Sequence, residues 1–205
     1  MKRLIDILCS AAGLAVLAPI TILVAIAVFV SMGRPVFFRQ QRPGLNAQPF
    51  ELLKFRTMRP SLNQDAVSTD DDQRLTRTGS ILRRLSLDEI PQLWNVLRGD
   101  MSLVGPRPLL MAYLPMYSDF QARRHEVRPG ITGLAQVYGR NATTWERRFE
   151  LDVRYVDTQS IWLDLKIMVR TVWIVVSRHG VSAEGHATMP PFYRDVRSSD
   201  GNSGE

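Results

Sequence analysis

The stretch from Ile7 to Gly33, "ILCSAAGLAVLAPITILVAIAVFVSMG", contains no charged residue. About 20 apolar residues suffice for a helix to cross a hydrocarbon core, so its length predicts a membrane segment. Pro19 interrupts the run; a proline removes one backbone donor and bends a helix. As helix, Ile7 to Ala18 would reach only ~18 Å, short of a bilayer core. Lys2 and Arg3 precede the segment, and Arg34, Arg39 and Arg42 follow it. The preference of cations for the cytoplasmic side therefore pulls both ends the same way. Together these facts predict a re-entrant helix-break-helix over residues 1–33, broken at Pro19. The backbone groups freed there would be bonded by Ser10, Thr21 or protein packing. A kinked spanning helix is the alternative. A cleaved signal peptide is disfavoured by Asp6 in the basic start, by the length and by the proline.

The chain has 205 residues, 45% of them apolar, enough for one core. Of its 26 cationic residues all but Lys2, Lys54 and Lys166 are arginine, and the net charge is +6. The planar guanidinium fork suits phosphate, so phosphorylated ligands and anionic lipid are the expected partners. No helix-turn-helix, zinc-finger or aromatic-basic pattern accompanies the charge, so nucleic acid is not expected. Cys9 is the single cysteine. One chain thus has neither a disulfide framework nor a cysteine metal site, which suits a reducing compartment.

Beyond Gly33, "PVFFRQQ" and "PFELLKFRTM" read as extended segments around the turn "RPGLNAQP". The polar run that follows reads as a solvated loop carrying Asp70, Asp71 and Asp72. After Pro108 the spacing is helical up to His125, which reads as a hydrogen-bonded structural histidine. "RPGITGLAQVYGRN" reads as turn and strand. In "TWERRFELDVRYVD", Trp145, Phe149, Val153 and Val156 form one helical stripe. Asp152 falls inside it, so it needs an internal arginine or a ligand. "SIWLDLKIMVRTVWIVVS" is apolar but carries Lys166 and Arg170, which favours a helix lying on the membrane or core. Asp164 sits at the border of its apolar face. The tail 191–205 is polar, with the composition of a disordered segment. The expected architecture is α+β and mainly helical, with the membrane segment 1–33 and a compact domain of short strands and membrane-surface helices over 34–190.

"RRLSLDEIPQLWNVLRGDMSLVGPRP", Arg83 to Pro108, holds two adjacent acids among arginines. Ser86 and Glu89 have capping-box spacing, while Pro91 favours a first helical turn; a short turn followed by a helix from Pro91 reconciles them. The helix dipole and Arg83, Arg84 and Arg107 favour ionised Asp88 and Glu89. Capping explains one acid more easily than two. The functional reading gives one to chemistry, attacking phosphorus or binding Mg²⁺, and the other to positioning or proton handling. Arg83 and Arg107 would neutralise a diphosphate.

"KFRTM", "LRRLSLDEIPQLWNVLRGDMSLVGPRPLL", "RPGITGLAQVYGRN" and "LDVRYVDTQSIWLDLKIM" occur in the order found in bacterial sugar transferases. The chain resembles the small monotopic polyprenyl-phosphate phosphoglycosyl transferases over Met1 to Ser177. The resemblance implies transfer of a sugar 1-phosphate from a UDP-sugar to undecaprenyl phosphate, with UMP released. It implies Asp88 as nucleophile through a covalent phosphosugar intermediate, Glu89 as its partner, and Mg²⁺ at the acidic site on Asp88. Arg83, Arg107, Asp152 and Asp164 fall on family active-site positions, with Lys54 a candidate phosphate contact. The family also implies a re-entrant helix broken at Pro19 and a catalytic domain on the cytoplasmic face of the bacterial inner membrane. Direct transfer in a ternary complex, or a non-catalytic membrane assembly role, are the competing readings. The sugar, the glycan pathway and the oligomeric state are not legible, a homodimer included.

Overall fold

The structure, a computed structural model, describes residues 1–59, 74–139, 144–177 and 192. The Asp70–Asp72 triplet and the polar tail apart from Phe192 lie outside the described residues. Those described are mainly helical with short strands, as expected.

Helix α1 spans Lys2–Met32 and passes through Pro19 without interruption. No residue leaves the helix at Pro19, so the only form the expected break can take is a bend within a continuous helix, since a proline withdraws one bond while the turns on either side stay bonded. The expected helpers serve other carbonyls. Ser10 donates to Asp6 O, and Thr21 Oγ1 donates to Leu17 O at 2.8 Å. One stripe of the helix turns inward: Asp6, Ser10, Val24 and Val28 are buried and Gly13 and Leu17 half-buried, whereas residues 18–20 between them are exposed. The opposite face exposes Leu8, Val16, Ile22, Leu23, Ile26 and Val30.

Both ends of α1 are held by the same body. At its start Lys2 Nζ reaches Asp164 Oδ2 at 2.6 Å and Val104 O at 3.1 Å. Arg3 donates to the Val96 and Leu97 carbonyls, and the Asp6 carboxylate accepts from Ser102 Oγ and Leu103 N. At its end Val24 and Val28 pack with Phe55 and Leu82. Arg56 donates to the carbonyls of Met32, Gly33 and Arg34, supplying the bonds and positive charge that a helix C-terminus lacks.

Strands β1 (Phe37–Pro43) and β2 (Pro49–Phe55) form the expected antiparallel hairpin, with Phe38 opposite Lys54. Helix α2 (Arg77–Arg84) packs so close to the end of β2 that a Cβ at Gly79 would lie 1.9 Å from Thr57 O. A 3₁₀ turn, Leu87–Glu89, leads into α3 (Gln92–Arg98), the turn-then-helix order read around Pro91. Asn95 locks α3 to β2. Its Nδ2 donates to Glu51 O at 2.7 Å, and its Oδ1 accepts Leu53 N at 3.0 Å.

Strand β3 (Ser102–Val104) pairs in parallel with β4 (Gly130–Thr132). The two motif segments cross too closely for side chains: a Cβ at Gly105 would come within 2.3 Å of Arg128 O. After Pro108 the expected helix is instead a 3₁₀ turn (Met111–Met116), a short α4 (Asp119–Ala122) and another 3₁₀ turn. Pro115 and the Ser118 cap divide it. After β4, the segment read as strand continues as helix α5 (Leu134–Tyr138). Helices α6 (Trp145–Thr158) and α7 (Ile161–Ser177) close the core around Val104, Leu134, Val137, Leu151, Tyr155 and Ile167. On its outer side α7 exposes Trp162, Leu165, Val169, Val172 and Trp173. Contiguous apolar exposure of this kind on α1 and α7 marks a surface that meets something other than water.

Candidate active site

The Leu87–Glu89 turn begins at Ser86, whose φ of 55° lies in the left-handed region, unusual for serine. The expected capping box does not form, since Ser86 makes no side-chain cap. Glu89 reaches instead toward cations brought from elsewhere. Its Oε1 accepts Lys54 Nζ at 2.9 Å and Arg107 Nη2 at 2.6 Å. Lys54 arrives on β2; Arg107 follows the tight Gly105 crossing. Arg83, on α2, donates through Nε to Thr57 Oγ1 at 3.0 Å. Lys54, Arg83 and Arg107 all act electrostatically on Asp88.

Asp88 is buried, and its carboxylate accepts no hydrogen bond among the described residues. Burial raises its pKa and the Glu89 charge adds to the rise; Lys54, Arg83 and Arg107 offset only part. The sequence expectation of a favoured carboxylate at this position is thus corrected in direction, because burial and the adjacent acid outweigh the dipole and cations. Glu89 behaves oppositely. Burial alone would raise it, but Arg107 and Lys54 hold it down at about 2. The result is one permanently charged acid beside one that is more basic and unencumbered. Neighbours whose environments push their pKa values apart suit different roles.

Behind this pair stands Arg124, fully buried. It donates to Asp152 Oδ2 through Nη2 (2.7 Å) and Nε (3.1 Å), and to the Arg107 carbonyl at 2.7 Å. Asp152 therefore lies inward as its stripe implied, and of the two roles left open the internal arginine is the one observed. It sits one step behind Arg107 and not on the cavity described below. Asp164 is not brought to Asp88 at all. It accepts from Lys2 and, at 2.6 Å, from Tyr155 Oη, joining α1 to α7. His125 is buried against Tyr117; burial, aided by the Arg124 charge, lowers its pKa to about 4, so it is neutral and structural.

Sequence reading missed Arg42. It is the penultimate residue of β1, and burial plus the Arg107 charge lower its pKa to about 10. Its Nε is buried without a partner among the described residues. It also missed Arg124 and Gln136, which no local pattern distinguishes from other polar residues. Next to Glu89 and Arg107 opens a cavity of about 320 Å³, walled by residues of α3, β4, α5 and α7. Among the described residues no group of three side chains of metal-binding type gathers.

Comparison with known proteins returns one family, described as bacterial sugar transferase, matching residues 1–178. The chain is 54% identical over 193 residues to the uncharacterized sugar transferase EpsL of Bacillus subtilis, covering 94% of this chain and 95% of that one. It is 46% identical over 181 residues to the UDP-glucose:undecaprenyl-phosphate glucose-1-phosphate transferase of Caulobacter vibrioides, covering 83% and 68%. It is 37% identical over 196 residues to the exopolysaccharide production protein ExoY of Rhizobium meliloti, covering 87% of each.

Proposed function

The chain belongs to the bacterial sugar transferase family, and from that premise we propose that it moves a sugar 1-phosphate from a UDP-sugar to undecaprenyl phosphate. The observation that carries the reading is the buried Asp88 carboxylate, which accepts no hydrogen bond among the described residues and is ringed by Lys54, Arg83, Arg107 and the ionised Glu89. A carboxylate so placed keeps its lone pairs available and is more basic than in water.

In the proposed route an Asp88 oxygen attacks the β-phosphorus of the UDP-sugar. The bond from that phosphorus to the bridging oxygen breaks, and UMP leaves with the electron pair. The phosphosugar remains on Asp88 as an acyl phosphate. A phosphate oxygen of undecaprenyl phosphate then attacks the same phosphorus, Asp88 departs as carboxylate, and polyprenyl diphosphate sugar results. Taking donor and acceptor in turn avoids holding two anions together. Arg83 and Arg107 neutralise the phosphates as charge moves. Glu89 fixes Lys54 and Arg107 in register and supplies the like charge that, with burial, keeps Asp88 basic.

Mg²⁺ fits this donor set, because it prefers one or two carboxylates plus substrate phosphates to an all-protein cage. The unbonded Asp88 oxygens would hold it. When bound, it supplies charge neutralisation on the diphosphate and the leaving UMP.

The membrane arrangement belongs to the same proposal. Helix α1 enters the bilayer with both ends on one side, the region of Pro19 lies deepest, and the domain faces the cytoplasm, where it performs the first membrane step of a glycan pathway. The anchoring of both ends of α1 to one body supports this. Tags at Met1 and Arg34 that label from opposite sides would overturn it.

A UMP-release assay with undecaprenyl phosphate in detergent, over a panel headed by UDP-glucose, tests the reaction. Activity is expected with at least one sugar and its loss in Asp88→Asn. No release with any donor would sink the reading.

A further inference from the structure

The cavity beside the carboxylates combines two chemistries. Glu89 and Arg107 contribute charge, whereas Leu93, Ile131, Val137, Ile174 and Val175 present an apolar wall. That wall reaches the two helices with bare apolar faces. Val175 is 37% exposed and belongs to α7, next to the outward Val172 and Trp173. Leu93 closes on α1, where a Cβ at Gly13 would lie 3.2 Å from its Cδ1. The space therefore runs from Glu89 and Arg107, next to Asp88 in the chain, to the exposed apolar edge of α7 at Val175.

One more side chain narrows the ligand. Gln136 lines the cavity, and both its amide nitrogen and oxygen are buried with no partner among the described residues. Buried amides are normally bonded, so this one calls for a polar ligand group. Thr132 and Thr171, also lining the cavity, satisfy each other through a 2.7 Å hydroxyl contact. A sugar or uridine ring would leave several hydroxyls or carbonyls unpaired against the wall. An amphiphile with an anionic head and an apolar chain leaves none.

The geometry points to this cavity as the seat of the acceptor: its phosphate lies toward Arg107 and Gln136, and its first isoprene units lie along Leu93, Val137, Ile174 and Val175. The assignment rests on the transfer reading above and adds the subsite to it. At about 320 Å³ the space admits a head group and the start of the chain, and the remainder continues into the bilayer. Donor and acceptor thus approach Asp88 from different sides, the UDP-sugar from water and the prenyl phosphate from lipid.

Two measurements test it. In the first, Val175→Trp fills the mouth from a half-exposed position. The KM for undecaprenyl phosphate is expected to rise about tenfold or more while the KM for the UDP-sugar stays within about twofold, the pattern of a lost acceptor contact. An unchanged acceptor KM, or an equal rise in both, overturns the assignment. The second uses the unaltered protein and needs no turnover. A diazirine-bearing prenyl phosphate is irradiated with it, and the label is expected on the peptides holding Leu93 and residues 171–175, displaced by undecaprenyl phosphate. Label confined to the outer face of α1 overturns the proposal. So does equal, undisplaced labelling by a diazirine phosphatidylglycerol, which would make the cavity a general lipid groove. Absence of UMP release in the unaltered enzyme would instead remove the transfer reading, and the labelling result stands apart from it.

Discussion

The Arg107 guanidinium donates to Glu89 Oε1 across 2.6 Å, on the same oxygen that Lys54 Nζ reaches at 2.9 Å. One carboxylate oxygen thereby sets the position of two cations from distant parts of the chain beside Asp88. Removing one member should cost catalysis more than folding. Arg107→Met is expected to lower kcat/KM by about 10²–10³, the scale for losing one donor to developing charge. Arg107→Lys should recover part of this. The exposed Arg39–Glu51 pair, at 3.3 Å, is the contrast. Arg39→Ala should shift stability by less than ~1 kcal/mol and leave the rate intact. Steady-state kinetics and denaturant titration in detergent read both.

The pH profile follows from Asp88. It attacks as a carboxylate, so the rate falls as pH drops through its pKa. Burial and Glu89 raise that value, so the acid limb of kcat/KM should lie above the ~3.9 of an ordinary aspartate. Lys54 is one of the charges that pull it down; Lys54→Met should move the limb to still higher pH. A limb that stays put or moves lower contradicts the electrostatic account.

Arg124 and Asp152 are both almost wholly buried. Arg124→Met leaves a buried carboxylate without its cation, and the expected loss of stability is about 3–5 kcal/mol. Replacing both, Arg124→Met with Asp152→Leu, should restore much of it, whereas the rate should remain low because the Arg107 backbone has lost its support. A loss below ~1 kcal/mol in the single variant would show that the pair carries little.

How far these features could be read beforehand divides along sequence distance. The hairpin, the turn before Pro91 and the inward Asp152 follow from local pattern, because alternation, proline chemistry and the 3.6-residue period act within one segment. The capping box was misread for the complementary reason. Ser86 and Glu89 have the right spacing, but charged partners 35 and 18 residues away outcompete a local cap. Asp164 shows the same limit, since its cation, Lys2, lies 162 residues away. Arg107 beside the two acids follows from the local run of charges, whereas Lys54 at the same place is implied only by the family resemblance. Gln136 and Arg124 carried no signal at all, as their meaning comes from what surrounds them.

His125 supplies a pH test of the fold itself. Unfolded, it takes up a proton near pH 6.5; folded, it stays neutral to about 4. The unfolded state therefore binds more protons between those values, and stability falls as pH drops through the window, by roughly 3 kcal/mol at most. His125→Gln should flatten that slope. Identical slopes in the two proteins would assign the acid sensitivity elsewhere.

In the proposed route Asp88 becomes covalently bound to the phosphosugar. UDP-sugar labelled with ³²P at the β-phosphate, mixed with enzyme in the absence of acceptor and quenched in acid, tests it directly. The account predicts label on the protein, mapped to the peptide with Asp88, absent in Asp88→Asn and released on adding undecaprenyl phosphate. Full turnover with acceptor, but no protein-bound label at any time without it, would contradict the account and favour direct transfer in a ternary complex.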